Sequence, residues 1–146
     1  MPDDILVVCI ANTCRSPMMD LLLQKALPQK NITSAGINAN IDQPMNEYSA
    51  KLTAKLGIDC TGHKARQLTL QICQANQLIM VMEKCHIKDI LSIDPTAKDK
   101  LVLVGKWQGD IEIMDPYGQN FEIYEKTFQL IKKAAFNWIK KLAIKS

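Results

Sequence analysis

The chain has 146 residues, 47% of them hydrophobic, and a formal net charge of +3. That length fits one domain over residues 1–146 with a real core, and a charge so small and so dispersed excludes nucleic acid as an expected partner. The acidic start lacks the features of a secretory signal, no apolar run is long enough for membrane insertion, and five cysteines in no small-domain framework suit a reduced, cytoplasmic setting.

Residues 5–9 form a continuous apolar, β-branched run, the pattern of a strand buried on both faces. From Ser16 the period changes. Met19, Leu22, Leu23 and Ala26 recur at helical spacing, with Pro17 in the first turn, where proline is tolerated. Residues 32–35 read as a second strand closed by Gly36. Tyr48, Leu52 and Leu56 mark a second helix that Gly57 ends. A short helix is expected over residues 68–73, a strand over 78–82, a helix over 83–91 and a fourth strand over 101–104. The last helix carries the clearest stripe, Tyr124, Phe128, Ile131, Ala135, Trp138 and Leu142. Lys126, Lys132, Lys133, Lys140 and Lys141 mostly fall on its solvated side. Strands alternating with helices predict a three-layer α/β fold, a parallel sheet flanked by helices, with ligands bound beyond the carboxyl ends of the strands.

At the end of the first strand lies Cys9-Ile10-Ala11-Asn12-Thr13-Cys14-Arg15-Ser16: a cysteine, five residues, an arginine and a serine, running into the first helix. A short strand-to-helix loop turns successive N–H groups inward and, with the helix N-terminus, forms a cradle for a phosphate-sized anion. Arg15 can add two parallel charge-assisted hydrogen bonds. A thiolate at Cys9, steadied by the Ser16 hydroxyl, is then placed for in-line attack on phosphorus, giving a phosphocysteine intermediate. No cysteine or histidine spacing matches a zinc site, so no metal and no cofactor is expected.

Residues 9–18 closely resemble the phosphate-binding loop of the low-molecular-weight protein tyrosine phosphatases. Ser34-Ala35-Gly36, Gly62-His63-Lys64-Ala65-Arg66-Gln67, Met82-Glu83-Lys84 and Asp115-Pro116-Tyr117 resemble that family's later motifs, in the same order. The likeness is greatest to the bacterial branch acting on tyrosine kinases of capsule or exopolysaccharide export. It implies a four-stranded parallel sheet with helices on both faces and the phosphate-binding loop between the first strand and first helix. It implies Cys9 as nucleophile, Arg15 as phosphate ligand, Ser16 as thiolate stabiliser, and Ile10, Ala11, Asn12, Thr13 and Cys14 lining the bound phosphate. Asn12, in a left-handed conformation, would brace the loop, with His63 in support, and a Cys9–Cys14 disulfide would protect the nucleophile. An autophosphorylated kinase is the implied partner, and phosphate or related oxyanions the implied inhibitors.

A phenolate leaving group calls for a general acid. Two Asp-Pro pairs offer one. Asp94 precedes the fourth strand and falls at the wrong edge of the sheet. Asp115 follows that strand, on the edge of Cys9, and is chosen. Tyr117 is expected to wall a deep slot, stacking on a substrate ring and excluding the shorter phosphoserine. Ala11 stands where most of the family has glycine, which is harmless only if its φ is negative. The mouth segment 37–43 is short and holds no aromatic residue. Two other functions use the same loop: an arsenate reductase, relaying oxidation to Cys60, Cys73 or Cys85, and a catalytically impaired phosphotyrosine-binding module.

Overall fold

The computed structural model describes residues 2–143. Four parallel strands, β1 (Asp4–Cys9), β2 (Asn31–Gly36), β3 (Leu78–Val81) and β4 (Leu101–Leu103), stand in the order β2-β1-β3-β4. The helices are α1 (Arg15–Ala26), α2 (Glu47–Ala54), α3 (Leu70–Gln74), α4 (Cys85–Ile93) and α5 (Phe121–Leu142), with 3₁₀ turns at Pro95–Lys100 and Lys106–Gln108. The period of two along the strands divides the core between the two sheet faces. Ile5, Val7, Cys9 and Met80 pack with α1, α2 and α5, whereas Leu6, Val8, Ile79 and Val81 pack with Cys73 of α3 and Ile90 of α4. This is the predicted three-layer arrangement. Among the described residues no helix is long and apolar enough to cross a membrane.

The predicted elements all form, with shifted edges. The α5 stripe from Tyr124 to Leu142 is buried as expected, and Trp138 Nε1 donates to Val104 O at 2.9 Å. In α1 the buried face is instead Met18, Met19, Asp20 and Leu23, while Ala26 is exposed. Helix α2 ends at Ala54, so Leu56 lies beyond it, 38% exposed, in the turn that Gly57 closes at φ +77°. Helix α3 starts at Leu70 because Leu68 N–H is already committed to Gly36 O, and the Thr69 side chain caps Ile72 N–H. Residues 82–84 join neither β3 nor α4. They form the bend that turns Glu83 toward the loop after β1.

The parallel sheet sends every strand's carboxyl end to one edge, where the chain crosses from β1 to α1 and from β3 to α4 on opposite faces. The loop after β1 packs there against Gly36. A Cβ at that glycine would overlap the Ile10 carbonyl oxygen. Gly36→Ala is expected to destabilise the fold by about 1–3 kcal/mol, the usual range for overpacking, read as a lowered urea midpoint at unchanged slope.

Candidate active site

Between Cys9 and α1 the backbone is held from outside. The Cys9, Ile10, Ala11 and Thr13 carbonyls accept from the N–H groups of Ile37, Asn38, Asn40 and Asn46 at 2.8–3.1 Å. The remaining one, Asn12 O, lies 2.7 Å from His63 Nε2. With the carbonyls of residues 9–13 drawn outward, the same peptide units turn the N–H groups of residues 10–14 the other way, and among the described residues no N–H from Ala11 to Arg15 donates to another protein group. Helices α2, α3 and α5 carry side-chain caps from Asn46, Thr69 and Asn120, but α1 has none. Its first N–H groups add to an anion cradle.

Asn12 fixes the loop's shape. It takes φ +62°, a left-handed conformation that asparagine tolerates better than most residues. Ala11 is not among the residues with positive φ, so the missing glycine brings no backbone strain there. The Asn12 side chain is fully buried and uses both ends: Nδ2 donates to Ser16 Oγ at 2.8 Å and Ser34 Oγ at 3.0 Å, and Oδ1 accepts from Arg66 N–H at 3.0 Å. Ser16 Oγ then lies 3.0 Å from Cys9 Sγ.

Arg15 is 1% exposed, an unusual place for a guanidinium. Nη1 donates to Glu83 Oε2 at 2.6 Å and Ile113 O at 2.7 Å, while Nη2 stands 3.7 Å from Asp115 Oδ2. Asp115 is half-exposed, its Oδ1 accepting Tyr117 N–H at 3.0 Å in a turn that Gly118 completes at φ +80°. A cleft of about 260 Å³ runs down to Cys9, Thr13, Cys14 and Arg15, between Ile10, Asn38 and Asn40 on one side and Asp115 and Tyr117 on the other. The structure thus brings Cys9, Ile10, Ala11, Thr13, Cys14, Arg15, Asp115 and Tyr117, 71% exposed at the rim, to one cleft, whereas Asn12 and Ser16, expected there too, lie fully buried. Asp94 is instead buried at the far edge, capping a 3₁₀ turn through Thr96.

The other cysteines are dispersed. Burial pushes the Cys14 thiol up, against a hydrogen bond with Tyr124 Oη at 3.5 Å. Cys73 is fully buried on the sheet face opposite Cys9, and Cys85 is exposed at the start of α4. From sequence, no individual role falls to Glu83, Ser34, Arg66 or Asp20. The first three lie in stretches that resemble the family's later motifs, and Asp20 shows only as a polar residue on a core-facing helix position.

Asp20 lies 5% exposed behind the loop. Burial pushes its carboxyl up to about 6, against hydrogen bonds from Gln24 and Ser34 and the charge of Arg66. The folded protein therefore holds this proton more tightly than the unfolded chain. The stabilisation is complete below about pH 4 and lost as pH rises through 6, a change of about 3 kcal/mol. Asp20→Asn is expected to remove that part of the pH dependence, so urea midpoints of wild type and variant should diverge between pH 4 and 7 in the variant's favour.

The sequence profile of the low molecular weight phosphotyrosine protein phosphatases matches residues 4–146. A putative low molecular weight protein-tyrosine-phosphatase of Klebsiella pneumoniae is 41% identical over 94% of this chain and 96% of its own length. Among solved structures, Vibrio vulnificus Wzb in complex with benzylphosphonate superposes with a TM-score of 0.93 at 40% identity, covering 97% of this chain and 99% of that one. The YwlE arginine phosphatase of Geobacillus stearothermophilus superposes at 0.89 with 30% identity, covering 95% and 92%. With the profile running from β1 past the end of α5, this chain belongs to the low molecular weight phosphotyrosine protein phosphatase family.

Proposed function

We infer that this chain is a protein-tyrosine phosphatase working through a phosphocysteine intermediate, with Cys9 as nucleophile, Arg15 as phosphate clamp and Asp115 as general acid and base. The observation that carries the reading is the loop whose carbonyls are tied outward above Cys9 Sγ, leaving the N–H groups of residues 11–15 for a phosphoryl group. Those donors meet the three equatorial oxygens as charge spreads over them in the transition state. Arg15, already aimed by Glu83, adds its guanidinium at little reorganisation cost.

The Cys9 thiolate attacks phosphorus and the P–S bond forms as the P–O bond to tyrosine breaks. Asp115, protonated, gives its proton to the departing phenolic oxygen. Water then attacks phosphorus, Asp115 takes the water's proton, and the P–S bond breaks to return thiolate and inorganic phosphate. Ser16, 3.0 Å from the sulfur, stabilises the thiolate as nucleophile and as leaving group. Asn12 and His63 keep the loop in shape, and Tyr117 stacks on the substrate ring at the rim. The depth of the cleft favours phosphotyrosine over phosphoserine. Resemblance to the capsule and exopolysaccharide branch supports an autophosphorylated bacterial tyrosine kinase as the protein substrate, and inorganic phosphate as a competing product.

Phosphate release near pH 6 from matched phosphotyrosine, phosphoserine and phosphoarginine peptides tests this. Wild type should release phosphate fastest from phosphotyrosine, Cys9→Ser should release none, and Asp115→Ala should lose about 10²–10⁴-fold in kcat. A preference for phosphoarginine would overturn the substrate assignment, and turnover by Cys9→Ser the mechanism.

A further inference from the structure

Behind the phosphate clamp, at the bend between β3 and α4, three side chains of different donor chemistry converge. A carboxylate oxygen of Glu83, the Cys85 sulfur and an imidazole nitrogen of His86 all lie within 4.8 Å of one another. His86 is 1% exposed, yet among the described residues neither of its ring nitrogens has a hydrogen-bond partner. Nε2 lies 3.3 Å from Glu83 Oε2 without the alignment of a hydrogen bond. A buried imidazole left unpartnered carries an uncompensated desolvation cost, which a ligand at that nitrogen would relieve. Cys85 is exposed and opens the cluster to solvent. Sulfur, nitrogen and oxygen donors together suit zinc and its neighbours rather than magnesium or calcium, and three protein ligands leave a fourth position for water.

We propose that Glu83, Cys85 and His86 form an inhibitory site for a zinc-class divalent cation, coupled to phosphate binding through the Glu83–Arg15 ion pair. Glu83 Oε2 is the acceptor, at 2.6 Å, that aims Arg15 Nη1. A cation on this carboxylate competes for the charge that holds the guanidinium and repels it. Arg15 is left with Ile113 O and loses its alignment to the cradle. The coupling is reciprocal: an anion in the cradle weakens the metal by the factor with which the metal weakens the anion. The metal binding stands on the geometry of these side chains, and the inhibition rests on the phosphatase reading above.

The first experiment uses the full chain with Cys9→Ser, so that the nucleophile cannot bind the metal. Zinc is titrated calorimetrically, and cobalt(II) serves as a spectroscopic probe for a thiolate-to-metal band. One zinc per chain is expected. Adding Cys85→Ser should abolish the band and weaken zinc at least about tenfold, with His86→Gln a second variant. Saturating sulfate, a phosphate surrogate that keeps zinc dissolved, should weaken zinc about tenfold, and zinc should weaken sulfate equally. In chains with Cys9 intact, Cys85→Ser should keep basal turnover and need at least about tenfold more zinc for the same inhibition. Zinc affinity unchanged by Cys85→Ser would overturn the site, and zinc binding indifferent to sulfate would overturn the coupling. An inactive wild type that still showed both would count against the phosphatase reading alone.

Discussion

The outward tethering of the carbonyls from Cys9 to Thr13 is the constraint on which the rest of the molecule turns. A loop of free peptide units would present carbonyls and N–H groups alike to an incoming dianion, and the carbonyls would repel it. Here the segment after β2 and His63 take up the carbonyls, so a net positive face is left. The left-handed turn at Asn12 makes this geometry possible. Its side chain then ties Ser16, Ser34 and the Arg66 backbone into one buried set that reaches the Cys9 sulfur. Gly36 admits the loop because a side chain there would occupy the space of the Ile10 carbonyl.

Charge placement follows from the sheet. Parallel strands bring Cys9, the Glu83 bend and the loop carrying Asp115 to one edge, and the buried Arg15 pairs with Glu83 and Asp115 there. A guanidinium in that position demands partners, because an unpaired buried charge would be far more costly than a paired one. Glu83 and the Ile113 carbonyl satisfy it on one side, and the other side faces the cleft and Asp115. The same arrangement makes Glu83 a sensitive point: whatever engages its carboxylate acts on the clamp.

The rim of the cleft is built from exposed residues outside the core. Tyr117, Asn38 and Asn40 stand at its rim, and exposed Ile41 and Met114 lie on the segments that carry the two walls. Vibrio vulnificus Wzb in complex with benzylphosphonate and the YwlE arginine phosphatase share this fold. The fold thus constrains the phosphoryl chemistry more closely than the leaving group.

By itself the sequence determined the alternation of elements, the α5 stripe and the cysteine-to-arginine loop between β1 and α1. These are periodic or local patterns that neighbouring residues dictate. It also separated Asp115 from Asp94, because the direction of a parallel strand decides which loops share an edge. Tertiary structure alone decided that Ala11 avoids a positive φ, that Glu83 leaves the helix to meet Arg15, that Asp20 is buried behind the loop and that both nitrogens of His86 lack partners. These properties depend on contacts between residues 60 or more positions apart, as Arg15 with Glu83, or on burial by several elements at once, and no local pattern encodes either.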